Sequence, residues 1–451
     1  MTLHNVLQAV IDNYPSVEGA LIQVERARLN TGKAQAQLGW LLQAQGGINR
    51  EASLFGSATD TISAGGSLSR QLDSGSTLAV DASIGRSDSE QTFPGVSNPS
   101  TTTSVGVSFR QPLGRGADNP AYEQSLIQAE LDVADAEAQR SLLYDQLAEQ
   151  VIGLYAGALN IRSQQQNVRQ AIDRSQRRQR YLEDRTELGV SEEQDLLQVD
   201  AQLKSQLAQL RALDVTWQTQ RIQLNRLIGR PSDSELNLIV LEDKLTIEPV
   251  IAEVRRQAIE NDAELAQIET RLLRADSFIE LTQDADEDQF DLVLSIGNQS
   301  QSGDSGSGSE STLTGGVNLE YQQAFDKRAS KAEIDQALLD KDAALVDKRR
   351  ILEDIEYDSA TLVAEILSGR DALRAYQASI DSERAKLREA ESRYRKGRSD
   401  TEQLLNFESQ LSQAELSFEL QRIELLKDQY SLELLSGDLW RGIDLPGSAE
   451  E

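Results

Sequence analysis

Catalysis needs a nucleophile, a base, a set of metal ligands or a phosphate cradle, and this chain is poor in the side chains that supply them. It has no cysteine, one methionine (Met1) and one histidine (His4). Thiolate nucleophiles, thiolate metal sites and disulfides are therefore excluded. His4 has no ligand partner near it in sequence and reads as a surface or helix-end residue. Gly65-Gly66 and Gly315-Gly316 lie in strand-like patterns and lack the spacing of a phosphate-binding loop. No carboxylate pair stands in the apolar context that acid–base work requires. The expectation is a protein that is not an enzyme and that holds neither cofactor nor metal.

The stretch that organises the chain occurs twice. Gly189-Val190-Ser191-Glu192-Glu193-Gln194-Asp195-Leu196-Leu197 returns as Gly397-Arg398-Ser399-Asp400-Thr401-Glu402-Gln403-Leu404-Leu405. The copies align without a gap for roughly forty residues, until Gly229 falls on Gly437. The chain is a duplication. After each first glycine comes a coiled-coil seam. Leu196, Val199, Leu203, Leu210, Leu213, Trp217, Leu224 and Leu227 step by three and four, with polar gaps at Gln206 and Gln220. Leu404, Phe407, Leu411, Ala414, Phe418, Leu425, Leu432 and Leu435 keep the same step in the second copy. Such a repeat winds helices around a partner. The arm before the first glycine is helical too, with Val151, Leu154, Ala158, Ile161 and Val168 on one face. Each glycine thus marks the turn of a long antiparallel helical hairpin, where a left-handed backbone is cheap.

Composition supports long helices rather than thick cores. Aromatics make up 5% of the 451 residues and charged residues 26%. Lys+Arg 45 against Asp+Glu 74 leaves a net charge of −29, which repels nucleic acid and anionic lipid surfaces. No run of about eighteen apolar residues is present to form a spanning helix. Met1-Thr2-Leu3-His4 opens directly into a helix, so no signal peptide is visible; an exported protein would here be the mature chain with a start Met in place of its signal. Lacking cysteine, it would carry no lipid on an N-terminal cysteine.

Along the chain, Thr2 to about Asp12 predicts a short helix, and Ser16 caps a longer one running to Trp40. The period then changes from 3.6 to 2, with four candidate strands at 41–55, 61–71, 76–87 and 102–113. Asn119-Pro120 starts a proline-free helical hairpin that ends at Gly229. The second half repeats the order: a helix near 248–281, strands at 290–301 and 311–322, a hairpin over 328–437 and a short tail. The structural repeats are 1–235 and 236–451. Val105-Gly106-Val107-Ser108-Phe109 matches Val317-Asn318-Leu319-Glu320-Tyr321. The first repeat is longer by one β-hairpin, and the sequence leaves open whether that pair joins a sheet or decorates a loop.

The strand faces set the class. Leu78, Val80, Ala82 and Ile84 alternate with Thr77, Ala79, Asp81 and Ser83, and Phe290, Leu292, Leu294 and Ile296 line one face of a later strand. Apolar residues face one way, and Ser, Thr, Asn, Gly and Asp the other. That suits a barrel with lipid outside and water inside, although a half-buried sheet shows the same alternation. Four to six strands are too few to enclose a lumen, so a closed barrel needs several copies of the chain.

Taken together, Leu3…Val6-Leu7…Ile11…Asn13-Tyr14-Pro15, the strand ending Phe109-Arg110-Gln111-Pro112-Leu113-Gly114-Arg115-Gly116, and the doubled Gly-x-Ser-x4-Leu-Leu tips resemble the TolC-like outer-membrane efflux protein family. The resemblance covers nearly the whole chain, including its duplication. It implies an α+β membrane protein acting as a homotrimer, whose protomers each give four strands to a twelve-stranded β-barrel continued by an α-helical barrel. It places the protein in a Gram-negative outer membrane with a periplasmic extension. The partners implied are a periplasmic adaptor (membrane fusion) protein, an inner-membrane transporter and outer-membrane lipid, with no nucleic acid. The function implied is a passive exit duct for efflux or type I secretion.

By the same resemblance, Gly189, Val190, Ser191, Gly397, Arg398 and Ser399 would be the turns that meet the adaptor. Tyr394 and Asp195 would help to hold the tip shut, a Tyr hydroxyl donating to a carboxylate being a charge-assisted bond. Some family members carry an acidic ring at the constriction; the matching positions here are the uncharged Gln403 and Asn406. Asp400, Glu402 and Glu408 are expected elsewhere on the surface. The competing reading is a soluble, elongated coiled-coil scaffold with a β cap.

Overall fold

In a computed structural model the described residues are 1–52, 58–89, 99–187, 193–239, 249–303, 310–396, 398 and 400–446. Each half of the chain carries two helices, then strands, then two long helices, with four strands in the first half and two in the second. In the first, α1 (Leu3–Asn13) and α2 (Pro15–Gln35) lead into β1 (Leu41–Ala52), β2 (Ala58–Gln71), β3 (Thr77–Ser89) and β4 (Ser100–Pro112). Two long helices follow, α3 (Pro120–Glu187) and α4 (Glu193–Ile228). In the second, α5 (Ile251–Asn261) and α6 (Ala263–Asp286) precede β5 (Gln289–Gly303) and β6 (Glu310–Gln322), and then come α7 (Arg328–Arg395) and α8 (Thr401–Leu435).

Two expectations are corrected, and one point that the sequence left open is answered. The helix expected near 248–281 is two helices, because Asp262 leaves helical geometry at ψ 117° and its Oδ1 accepts the Leu265 N–H at 2.6 Å, starting a new helix. The second helix begins at Pro15, not after a Ser16 cap, since proline suits a first helical position. The sheet holds six strands of this chain, the upper end of the four to six read from the sequence. Its order is β1-β2-β3-β4-β5-β6, all antiparallel, so the additional hairpin of the first half joins the sheet.

The chain divides into two compact units that each draw on both halves: Met1–Gln23, Glu137–Ala266 and Lys348–Glu451, and separately Val24–Ala136 and Gln267–Asp347. The second unit contains the sheet. The first has its main core around α1, whose Leu3, Val6, Leu7, Val10 and Ile11 recur at helical spacing and are all buried. Against them pack Val151 and Tyr155 of α3, Leu224 and Leu227 of α4, Ile423 and Leu426 of α8, and Leu439. Smaller clusters continue along the helices, such as Val168, Ile172 and Leu203. The polar gap in the first seam is filled in kind: the buried Ser175 hydroxyl donates to Gln206 Oε1 at 2.9 Å.

Gly229 and Gly437 close α4 and α8 in the left-handed region, at φ +74° and +79°. A Cβ would sit 2.9 Å from Asn13 in the first case and 2.9 Å from Asn261 in the second. Both asparagines end 11-residue helices, α1 and α5. Gly437→Ala is expected to cost roughly 1–2 kcal/mol or more from handedness alone, before the clash is counted. A thermal melt of the variant checks this; an unchanged midpoint would contradict it.

Candidate functional site

The ends of α3, α4, α7 and α8 bring the doubled tips together. Gly189, Val190, Ser191, Gly397 and Ser399 lie outside the described residues. Arg398 is exposed, and its N–H donates to Arg393 O at 2.9 Å. Asp400 caps α8, its Oδ1 accepting the Gln403 N–H at 2.7 Å. The Gln403 and Asn406 side chains are exposed on the first turns of α8, and Asn406 Oδ1 accepts from Gln410 Nε2 at 3.0 Å.

The Tyr394 hydroxyl lies 3.1 Å from Thr401 Oγ1, across the turn of its own hairpin, and Thr401 is buried. Thr401 is thus a hydrogen-bond partner of Tyr394 within one hairpin. Asp195 is half-buried in the first turn of α4, where a carboxylate suits the helix N-terminus.

What joins the two hairpins is a set of side chains that sequence reasoning missed. Arg178 of α3 pairs with Glu408 of α8, their side chains only 12% and 10% exposed. The expectation of a surface Glu408 is corrected. It stands four residues after Leu404 and three before Leu411, so the seam's own phase buries it. The Arg178 guanidinium also lies 6.0 Å from the Tyr394 ring centroid. Tyr181 and Tyr394 pack with centroids 6.3 Å apart, and Arg185 donates to the Tyr181 hydroxyl at 2.9 Å. Towards the turn, Leu182 and Val199 of the first hairpin bury against Leu405 of the second. Away from it, Asn167 and Ser412 exchange two bonds at 2.9 Å, with Arg174 reaching the Ser412 hydroxyl at 3.2 Å.

A cleft of about 420 Å³ opens beside this contact, lined by Arg174, Arg177, Arg178 and Arg395 against Glu391 and Glu408. Burial pushes the Glu408 carboxyl up from its ordinary range; Arg178, Arg174 and Arg177 pull it down by less. Among the described residues no cluster of His, Cys, Asp or Glu could hold a metal ion.

Two more carboxyls of this unit are displaced upward. Asp145, which accepts from Trp440 Nε1 at 2.9 Å, is raised to about 6, chiefly by burial. Asp428 is also raised to about 6 by burial, with Glu424 and Glu365 adding to it. A raised carboxyl favours the folded state below the unfolded value of 3.8, and that contribution is lost as pH rises through about 6. Asp145→Asn keeps the acceptor for Trp440. It is expected to raise stability at pH 8 by on the order of 2 kcal/mol and to flatten the pH dependence between 4 and 7. Thermal unfolding across that range is the check, and an unchanged slope would refute it.

The second candidate surface is the sheet. Leu68, Val80, Val107 and Ile296 stand level on neighbouring strands and share one exposed face. On the other face Ser67, Asp81, Gly106 and Gly297 do likewise. Near the strand ends Arg110 bridges three strands, reaching Asp291 at 3.0 Å and Glu320 at 2.6 Å. Among the described residues, no helix is long and apolar enough to cross a membrane.

A family profile described as Outer membrane efflux protein matches residues 77–230 and 254–438, most of the chain. None of the curated proteins compared by sequence matches it. Among solved structures, the outer-membrane channel OprN is 16% identical, with a TM-score of 0.69 over 96% of this chain and 89% of that one. The outer membrane protein VceC from Vibrio cholerae is 15% identical, with a TM-score of 0.68 over 97% and 95%. The open state of the Neisseria gonorrhoeae MtrE outer membrane channel is 20% identical, with a TM-score of 0.62 over 98% and 90%. At these identities the likeness is one of fold.

Proposed function

Because the chain belongs to the outer membrane efflux protein family, we propose that it works as a homotrimeric exit duct, with each protomer's sheet set in the Gram-negative outer membrane and its helical hairpins in the periplasm. The observation that carries this reading is the sheet: one continuous face of exposed Leu, Val and Ile backed by one of Ser, Thr, Gly and Asp. The first face meets hydrocarbon and the second meets water. The scaffold reading leaves that apolar face uncovered, and large exposed apolar surfaces are rare on soluble proteins.

The duct itself performs no chemistry. Substrate moves passively, and an inner-membrane transporter supplies the energy through a periplasmic adaptor that docks on the turns at Gly189, Val190, Ser191, Gly397, Arg398 and Ser399. The two halves, 1–235 and 236–451, act as paired repeats. Three copies bring six hairpin tips to one ring, where Gln403 and Asn406 line the constriction and the Tyr394, Asp195 and Glu408 neighbourhood holds it shut. Efflux and type I secretion both fit this design.

Single-particle imaging of the detergent-extracted protein tests the proposal. A threefold ring with a detergent belt around the strands is expected. A monomer or dimer that stays dispersed without detergent would overturn the duct and favour the scaffold.

A further inference from the structure

The family match begins at Thr77, the first residue of β3. The hairpin β1–β2 precedes it, yet it is built as the rest of the sheet is built. Leu42 pairs with Leu68, which pairs with Val80, which pairs with Val107, so the apolar row crosses from the extra hairpin into the family strands without a shift of register. Leu42 and Leu68 are 74% and 38% exposed, Val80 36%. On the opposite face Gln43 pairs with Ser67, and Ser67 with Asp81. A one-residue slip would have put these faces out of phase.

The hairpin also carries its own boundary residue. Trp40, 52% exposed, immediately precedes β1 and lies against Arg70, whose guanidinium is 5.9 Å from its ring centroid. Arg70 pairs with Leu78, and Leu78 with Phe109. An aromatic residue at this level is what a membrane interface selects. The two strands have 12 and 14 residues, against 13 to 15 in the other four, so they span the same height.

We propose that β1–β2 is part of the membrane wall and that the free edge of β1 pairs with the free edge of β6 in a second copy of the chain, so that three copies close eighteen strands instead of twelve. β1 and β6 are the two edges of the sheet. Soluble proteins blunt such edges with lysine or proline. β6 has no lysine, arginine or proline, and β1 has only Arg50 near its end. An edge beside hydrocarbon must be paired, because no water is there to satisfy its N–H and C=O groups. With a second copy, β1 offers twelve residues to thirteen of β6.

The consequence is width. At a strand spacing of ~4.8 Å and a tilt of ~40°, twelve strands close a ring about 24 Å across, and eighteen close one about 36 Å across. The outer end of the duct would then admit cargo half as wide again as a four-strand protomer allows.

The inference rests on the duct reading, and imaging of the full chain in lipid nanodiscs separates the two. Eighteen strands in the bilayer, with β1 of one protomer beside β6 of the next, is the result expected. Twelve strands with residues 41–71 outside the bilayer would overturn the inference and leave the duct standing. Two copies closing twelve strands would overturn it as well, and a particle with no bilayer segment would overturn the duct itself. A second measurement uses the absence of cysteine in the chain. Cysteines placed singly at 43, 45 or 47 and paired with one at 312, 314 or 316 should include at least one combination that oxidises into chains linked up to a trimer. If no combination cross-links in an assembled ring, β1 and β6 are not neighbours.

Discussion

Arg178→Ala is expected to loosen the tip and to destabilise the helical hairpins by roughly 3–5 kcal/mol, because it leaves the buried Glu408 carboxylate without its partner. Burial already pushes that carboxyl up, and Arg178 is the first of the groups opposing it. Without Arg178 the carboxyl rises further, so the folded variant holds its proton to higher pH. Its stability is then lost as pH climbs through that raised value. The deficit against the parent should be larger at pH 8 than at pH 5. Glu408→Gln keeps an acceptor for Arg178 and removes the charge, so its effect should be smaller. The double variant should be less damaged than Arg178→Ala alone, the signature of coupling between contacting residues. Thermal unfolding at both pH values reads the stability, and single-channel recording in planar bilayers reads the tip. A closed-state conductance equal to the parent's in Arg178→Ala would remove this pair from the gate. Tyr394→Phe is the companion test, since its hydroxyl bonds to Thr401; with Asp195→Ala it asks whether the two residues hold the tip at all.

The other large effect comes from neighbouring residues with opposite fates. Ile296→Arg puts a guanidinium on the apolar face of β5, where a charge near mid-bilayer costs about 2–4 kcal/mol. Ser295→Arg, one residue earlier, puts it on the polar face, opposite Ser108 and Gly316. The first variant should largely fail to assemble in the outer membrane. The second should assemble normally and alter only the ion preference of the lumen. Heat-resistant oligomer on a gel counts assembly, and reversal potentials read selectivity. Equal assembly of both variants would mean that the face of Ile296 does not meet lipid.

Much of this architecture is legible in the order of the residues alone, and the reason is periodicity. Alternation in Leu78, Val80, Ala82 and Ile84 marks a strand, and the three-four step from Leu404 to Leu435 marks a seam, because each period matches one backbone geometry. Strands expected at 76–87 and 102–113 lie at 77–89 and 100–112. What periodicity does not carry is partnership. The pattern of β1 and β2 is the same whether the hairpin joins the sheet or stands apart, so its place emerges only from the pairing of Leu68 with Val80. Glu408 illustrates the limit at the tip. Its phase with Leu404 and Leu411 is a signal of burial, yet the Arg178 that makes this burial tolerable lies 230 residues away. The Tyr394–Asp195 expectation comes from position within a motif, and motif position does not reveal the bond of Tyr394 to Thr401. The break at Asp262 escapes the pattern because a capping aspartate inside an apolar period leaves the period itself almost intact.

The two unpaired edges of the sheet also bear on inheritance. A chain whose β1 edge is spoiled, by a proline at position 45 for example, would still fold its helices and still meet normal chains. In the proposed ring of three chains, one spoiled edge is enough to leave the wall open. Expressed in equal amounts with the parent and mixing freely, such a chain would leave only about one ring in eight wholly intact. Damage to β1 or β6 should therefore behave as dominant, whereas a chain too unstable to reach the ring should behave as recessive.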